Sequence, residues 1–169
     1  MGPGVTAHRR GETIYFRSVN VFILSAGRSG SKTFARACGH IANYTSAHES
    51  RSGLLGEAHF DYPDNHIESD NRLSWLLGRL DRKYGDRAFY VHLTRDVGPV
   101  AASWAKRSYT GMMNAYRYAI LWHCPKDATP AEVALDYCDT VGENIRLFLR
   151  DKTNQMEFRL EEGRERFPD

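Results

Sequence analysis

Arg28, Ser29, Gly30, Ser31, Lys32 and Thr33 are consecutive, and Gly27 stands just ahead of them. These residue types suit the binding of an anion with several oxygens. Gly27 and Gly30 let the backbone turn tightly and come close to a ligand. Ser29, Ser31 and Thr33 add hydroxyl donors where a helix is about to begin, and Arg28 and Lys32 supply full positive charges. Backbone N–H groups in such a turn point outward, and the dipole of a following helix favours negative charge. The chemistry expected here is the gripping of a phosphate or a group shaped like one.

A strand and a helix must flank that turn. Val21, Phe22, Ile23 and Leu24 form an uninterrupted β-prone run, as in a strand buried on both faces of a parallel sheet. Phe34, Ala37, Cys38 and Ile41 then recur at helical spacing. The unit is therefore P-loop-like: strand, loop, helix. It does not match the nucleotide-triphosphate pattern G-x-x-x-x-G-K-[ST], because Ala26 and Ser31 stand where the two glycines belong when Lys32-Thr33 is aligned with its end.

The rest of the chain supplies the elements around this unit. Met1 to Glu12 shows no periodicity and is expected to be a mobile leader, with the domain spanning 13–169. Strands are expected at Thr13 to Val19 (a short edge strand), Tyr44 to His48, Asn65 to Glu68, Ala88 to Thr94 and Met156 to Leu160. Glu49 to Asp64 is polar, interrupted by Pro63, and reads as a surface loop at the mouth of a site. Leu73, Leu76, Leu77, Leu80 and Tyr84 predict one helix ended by Gly85. Val97 to Lys106 predicts another, with Pro99 near its first turn. Met112, Met113, Tyr116 and Ile120 form a core-facing stripe. Thr129-Pro130-Ala131-Glu132 is a capping box that opens a long helix carrying Val133, Tyr137, Val141, Ile145 and Phe148 on one face. The expected fold is a single α/β domain with a mainly parallel sheet flanked by helices. Ligands in such sheets bind at the carboxyl ends of the strands.

Bulk properties narrow the function. The 169 residues, 41% of them hydrophobic, suffice for one domain with a core. A net charge of +2, from 23 basic and 21 acidic residues, is not the footprint of a nucleic-acid or membrane binder. Cys38, Cys124 and Cys138 show no C-x-x-C pairing, which argues against a disulfide framework or structural zinc and suits a reducing, cytoplasmic setting. No apolar run reaches membrane-spanning length, and the N-terminus lacks the apolar core of a signal peptide.

The run Arg28-Ser29-Gly30-Ser31 resembles the 5′-phosphosulfate loop of sulfotransferases that use 3′-phosphoadenosine 5′-phosphosulfate (PAPS), in which a strand leads to a basic residue and then Ser-Gly-[Ser/Thr]. A second stretch, Tyr90 to Arg107 (YVHLTRDVGPVAASWAKR), resembles the family's 3′-phosphate motif, a strand-terminal arginine followed by a helix serine. Here these are Arg95 and Ser103. The chemistry is sound, since an arginine grips phosphate bidentately and a helix hydroxyl adds a further bond. Phe158-Arg159-Leu160-Glu161-Glu162 resembles the family's late strand more loosely. Two features depart from the pattern: Val97-Gly98 stands where proline is usual, and there is no C-terminal G-x-x-G-x-x-K clamp. Family members generally continue beyond the point where Asp169 stands.

The resemblance implies transfer of the sulfuryl group from PAPS to a hydroxyl or amine acceptor, releasing adenosine 3′,5′-bisphosphate (PAP), with no metal required. Ser29 to Thr33, with Arg28 and Lys32, would hold the 5′-phosphosulfate and offset charge on the departing phosphate. It places the catalytic base after the second strand, at Glu49, with His66 and Glu68 on the third strand as the next candidates. His48 would face the opposite side if the strand continued through it. His59 reads as a loop residue and His92 as a packed core histidine. The acceptor implied is a small molecule, glycan or lipid with a hydroxyl or amine. Two alternatives stand beside this: a non-catalytic nucleotide-binding module of the same fold, and a P-loop kinase using Mg²⁺. Thr94-Arg95-Asp96 weighs against the kinase, which needs apolar residues running into the acid.

Overall fold

The computed structural model describes residues 6–9, 12–15 and 18–166. Thr6–Arg9 (β1) and Glu12–Tyr15 (β2) pair with each other as an antiparallel ribbon. The edge strand expected over Thr13 to Val19 is therefore not in the main sheet: β2 pairs only with β1, Ser18 to Asn20 are outside any strand, and residues 16 and 17 lie outside the described residues. Of the expected leader, residues 1–5, 10 and 11 also lie outside them.

Val21–Leu24 (β3) takes the central place that its apolar run requires. Around it stand Thr45–His48 (β4), His66–Ser69 (β5), Phe89–Thr94 (β6) and Gln155–Arg159 (β7), in the order β4-β5-β3-β6-β7. Every neighbouring pair is parallel, with Val21 opposite Ile67 on one side and Phe89 on the other. Alternation along β3 feeds two cores. Ile23 joins Ile67, Val91 and Leu93 beneath Phe34 and Cys38 of the helix Ser31–Cys38 (α1). Phe22 and Leu24 face the opposite way, into the larger core. That core is built on Leu80 of Leu77–Tyr84 (α2), Val100 and Trp104 of Val97–Ala105 (α3), and Met113 of Gly111–Ala115 (α4). The long helix Pro130–Leu149 (α5) completes it with Tyr137, Val141 and Ile145. Each large side chain so buried contributes about 1.5–3 kcal/mol. No helix among the described residues is long and apolar enough to cross a membrane.

Four expected elements differ in detail. α1 stops at Cys38, because Gly39 turns its N–H back onto Ala35 and Arg36, so Ile41 lies past the helix and is exposed, and Ala35 rather than Ala37 is buried. The helix expected over Leu73 to Tyr84 is a 3₁₀ turn, Asn71–Trp75, followed by α2. Asp70 caps the turn by accepting from the Arg72 N–H at 2.8 Å, and the backbone leaves helical geometry at Leu76. After α4 the chain widens into a π turn at Tyr116–Ile120. Tyr116 stays buried, and Ile120 turns out to solvent. The last strand ends at Arg159, and Leu160 opens a short helix, Leu160–Arg166 (α6).

The capping box of α5 is complete. The Thr129 hydroxyl accepts from the Glu132 N–H, and the Glu132 carboxylate accepts from the Thr129 N–H at 2.8 Å. Thr129→Ala is expected to cost about 1 kcal/mol, a fall in Tm of about 2–4 °C for a chain of this size by scanning calorimetry. An unchanged Tm would mean that the cap does not limit the stability of this helix.

Candidate active site

The glycine-rich loop is pinned before it reaches a ligand. The Ser25 carbonyl accepts from the Ser74 hydroxyl at 3.1 Å, and the Ser25 hydroxyl accepts from the Gly27 N–H at 3.1 Å. The Ala26 carbonyl accepts twice, from Trp104 Nε1 at 3.0 Å and from the Tyr137 hydroxyl at 3.1 Å. α3 and α5 thus fix where the loop leaves β3. The loop then runs through left-handed backbone at Gly27 (φ 78°), Arg28 (φ 61°) and Gly30 (φ 82°). Glycine is required at both ends. A Cβ on Gly27 would stand 2.9 Å from the Trp104 ring, and one on Gly30 3.2 Å from Leu160. Arg28 pays for its conformation with about 1–2 kcal/mol of backbone strain, a level typical of ligand-binding turns.

Past the loop, α1 begins at Ser31 with its N-cap at Gly30, which offers no capping side chain. The first N–H groups of a helix have no intrahelical acceptor, so this end of α1 is open to an anion. A cavity of about 390 Å³ lies in front of it. Gly27, Arg28, Gly30, Ser31, Lys32 and Thr33 form one wall, and His48, Glu49, Asn71, Arg95 and Trp104 form the rest. These residues sit at the carboxyl ends of β3, β4, β5 and β6, as expected for an open parallel sheet. Ser29 is buried and donates its hydroxyl to the Gly27 carbonyl at 3.2 Å, so that hydroxyl braces the loop.

The two basic stretches meet. Arg28 Nε donates to the Ser103 hydroxyl at 3.0 Å, and Arg95 Nη1 reaches the Arg28 carbonyl at 3.4 Å. Arg95 also has Glu161 at 3.8 Å, with both side chains more than a third exposed. A contact of that length and exposure is worth little, which leaves the guanidinium free to turn to a stronger anion.

Glu49 follows β4 directly. Its N–H donates to the Ser69 carbonyl at 3.1 Å, its φ is 55°, and its carboxylate lies 2.9 Å from Arg72 Nη1. The left-handed turn ends the strand's alternation. His48 therefore does not face away as expected: it lines the same cavity as Glu49, with Nε2 3.1 Å from the Ser31 hydroxyl.

His66 and Glu68 are brought together but stand outside the lining of this cavity. Both are buried on β5. His66 Nδ1 is 2.7 Å from the Thr45 hydroxyl, and Nε2 is 3.1 Å from Glu68. Glu68 also accepts from the N–H of Ser50 at 3.1 Å and from its hydroxyl. Burial works against ionisation of Glu68, but the bonds from His66 and Ser50 outweigh it and hold the carboxyl below its ordinary range. This pair fastens the backbone next to Glu49. His59 is a buried residue of the 3₁₀ turn Gly56–Phe60, and His92, in mid-strand on β6, is buried, with burial lowering its pKa. Among the described residues no group of three or more His, Cys, Asp or Glu side chains is arranged to hold a metal ion.

Asn71, Trp104 and Arg72 carry no functional signal of their own in the sequence, whereas His48 is expected there to face away. Trp104 directly follows Ser103, and His48 directly precedes Glu49.

No protein-family profile matches this chain, and no curated protein matches it. Among solved structures it is similar to a sulfotransferase domain from the curacin biosynthetic pathway, with a TM-score of 0.60 and 18% sequence identity. The match covers 86% of this chain and 68% of that one. The likeness is one of fold: a five-stranded parallel sheet flanked by helices in a single α/β arrangement.

Proposed function

We propose that this protein is a PAPS-dependent sulfotransferase that passes the sulfuryl group to a hydroxyl or amine of a small-molecule, glycan or lipid acceptor and releases PAP. The observation that carries this reading is the junction of the two basic stretches: Arg28, which lines the cavity together with Arg95 and Glu49, meets Arg95 through its carbonyl and Ser103, just outside the lining, through its Nε. A plain phosphate loop needs no second arginine and serine beside it. A nucleotide with phosphates at both its 5′ and 3′ positions does.

The residues present fit that ligand. The two loop glycines carry the backbone past the cavity at positive φ, the N-terminus of α1 is uncapped, and Arg28, Lys32 and Arg95 bring three positive charges to one cavity. When bound, PAPS supplies the sulfuryl group on its 5′-phosphate, a near-ready electrophile by analogy with loose phosphoryl transfer. The chain then has three tasks. The loop amides from Ser29 to Thr33, with Arg28 and Lys32, hold and neutralise the 5′ end. Arg95 and Ser103 hold the 3′-phosphate. Glu49 accepts the proton of the acceptor hydroxyl at its carboxylate, while the loop after β4 borders the acceptor. A cytoplasmic location is part of this proposal, and the free thiols of Cys38, Cys124 and Cys138 suit it.

Because the cations are already in place, PAP is expected to bind without added metal. Calorimetric titration with PAP in EDTA tests this, with MgATP as the comparison. Heat of binding that survives EDTA and exceeds that for MgATP supports the reading. Loss of PAP binding on chelation, or tighter binding of MgATP, would put the kinase alternative ahead.

A further inference from the structure

Arg72 stands between two carboxylates. Its Nη1 is 2.9 Å from Glu49 Oε1 and 3.5 Å from Asp70 Oδ1. The two acids are unlike. Glu49 is about one-third exposed at the cavity, whereas the Asp70 side chain is fully buried at the end of β5. Asp70 Oδ1 also accepts the Arg72 N–H at 2.8 Å, and Oδ2 has no partner among the described residues. Burial pushes the Asp70 carboxyl up, and the Arg72 N–H and guanidinium pull it the other way.

A buried carboxylate is costly unless paired, and an exposed ion pair is worth little. Neither half of this arrangement is explained by surface stability alone. Together they make a bracket: Asp70 fixes Arg72 from inside the fold, and Arg72 fixes the Glu49 carboxylate from outside it. The Glu49 backbone is held as well, by its N–H bond to the Ser69 carbonyl and by the Glu68 bonds to Ser50. The charges also suit a proton acceptor. With Glu49 ionised the trio carries one net negative charge, and with Glu49 protonated Arg72 still has Asp70, so no guanidinium is stranded.

We propose that Asp70 and Arg72 are positioning residues that aim the Glu49 carboxylate into the cavity. This rests on the reading of Glu49 as the base.

The test is a double-mutant cycle on Glu49→Gln, Arg72→Gln and the double variant, with Arg72→Lys and Asp70→Asn beside it. PAP release from PAPS is measured with a phenol and a primary alcohol as acceptors, PAP affinity by calorimetry, and unfolding by denaturant. Arg72→Gln is expected to lower kcat by about tenfold or more, as a misplaced catalytic group does, with PAP affinity kept. Arg72→Lys restores part of the loss. In the Glu49→Gln background Arg72→Gln costs no further turnover, and the two substitutions are non-additive in the unfolding midpoint. Equal losses in both backgrounds, or additive unfolding midpoints, would overturn the bracket. Should Arg72→Gln fail to fold, Arg72→Lys and Asp70→Asn carry the same comparison, since each keeps one half of the pairing. The two readings can fail separately. Full turnover in Glu49→Gln sinks the base assignment while the unfolding cycle still decides the bracket. Lost turnover in Glu49→Gln with additive midpoints sinks the bracket alone.

Discussion

Glu49→Gln is expected to reduce turnover by roughly a hundredfold or more while leaving PAP affinity close to wild type. Gln is nearly isosteric but uncharged, and it cannot take a proton. The carboxylate follows β4 and lines the same cavity as Lys32 and Thr33, and the loop is read as binding the anion while Glu49 takes the proton. The competing candidates predict a different pattern. Glu68 is buried and holds Ser50 and His66 through its oxygens, so Glu68→Gln is expected to loosen the loop after β4 and lower stability along with rate. If Glu49→Gln kept full turnover while His66→Ala or Glu68→Gln lost it, the base would belong to β5.

Arg95→Ala is expected to remove the preference for PAP over ADP. A charge-assisted hydrogen bond is worth about 1.5–3 kcal/mol, so the wild-type preference should be roughly tenfold to a hundredfold. Among the described residues the guanidinium has the Arg28 carbonyl at 3.4 Å and a long contact to Glu161 to give up. Its reorientation toward a 3′-phosphate therefore costs little. ADP affinity should hardly change in the variant, because Lys32, Arg28 and the α1 N-terminus are untouched. Retention of the preference in Arg95→Ala would place the 3′-phosphate elsewhere.

The central strand and the long capped helix could be read from residue types, since an unbroken β-prone run and an S/T-x-x-E box each have few physical outcomes. Other segments had two. Leu73, Leu76, Leu77 and Leu80 bury equally well on a 3₁₀ turn followed by a helix, and it is the Asp70 cap that decides. Met156, Phe158 and Leu160 alternate as a strand would, yet Leu160 turns into α6 and packs beneath Gly30. The anion loop is legible in its residue types, since glycines, hydroxyls and cations at a strand–helix junction suit a phosphate, whereas Arg95 and Ser103 stand out only through their resemblance to the 3′-phosphate motif. The left-handed turn at Glu49 is not legible, since nothing in a glutamate announces positive φ, and that turn brings His48 and Glu49 to the same wall. Arg72 was hidden for a related reason. Its role depends on a buried aspartate two residues back and a glutamate in the turn that follows β4.

The most direct measurement is calorimetry of the wild-type chain with PAP and with ADP in the same EDTA-containing buffer. PAP should bind roughly tenfold to a hundredfold more tightly, because Arg95 and Ser103 read the additional phosphate. Equal affinities would contradict the assignment of these two residues and, with it, the sulfotransferase reading of the site.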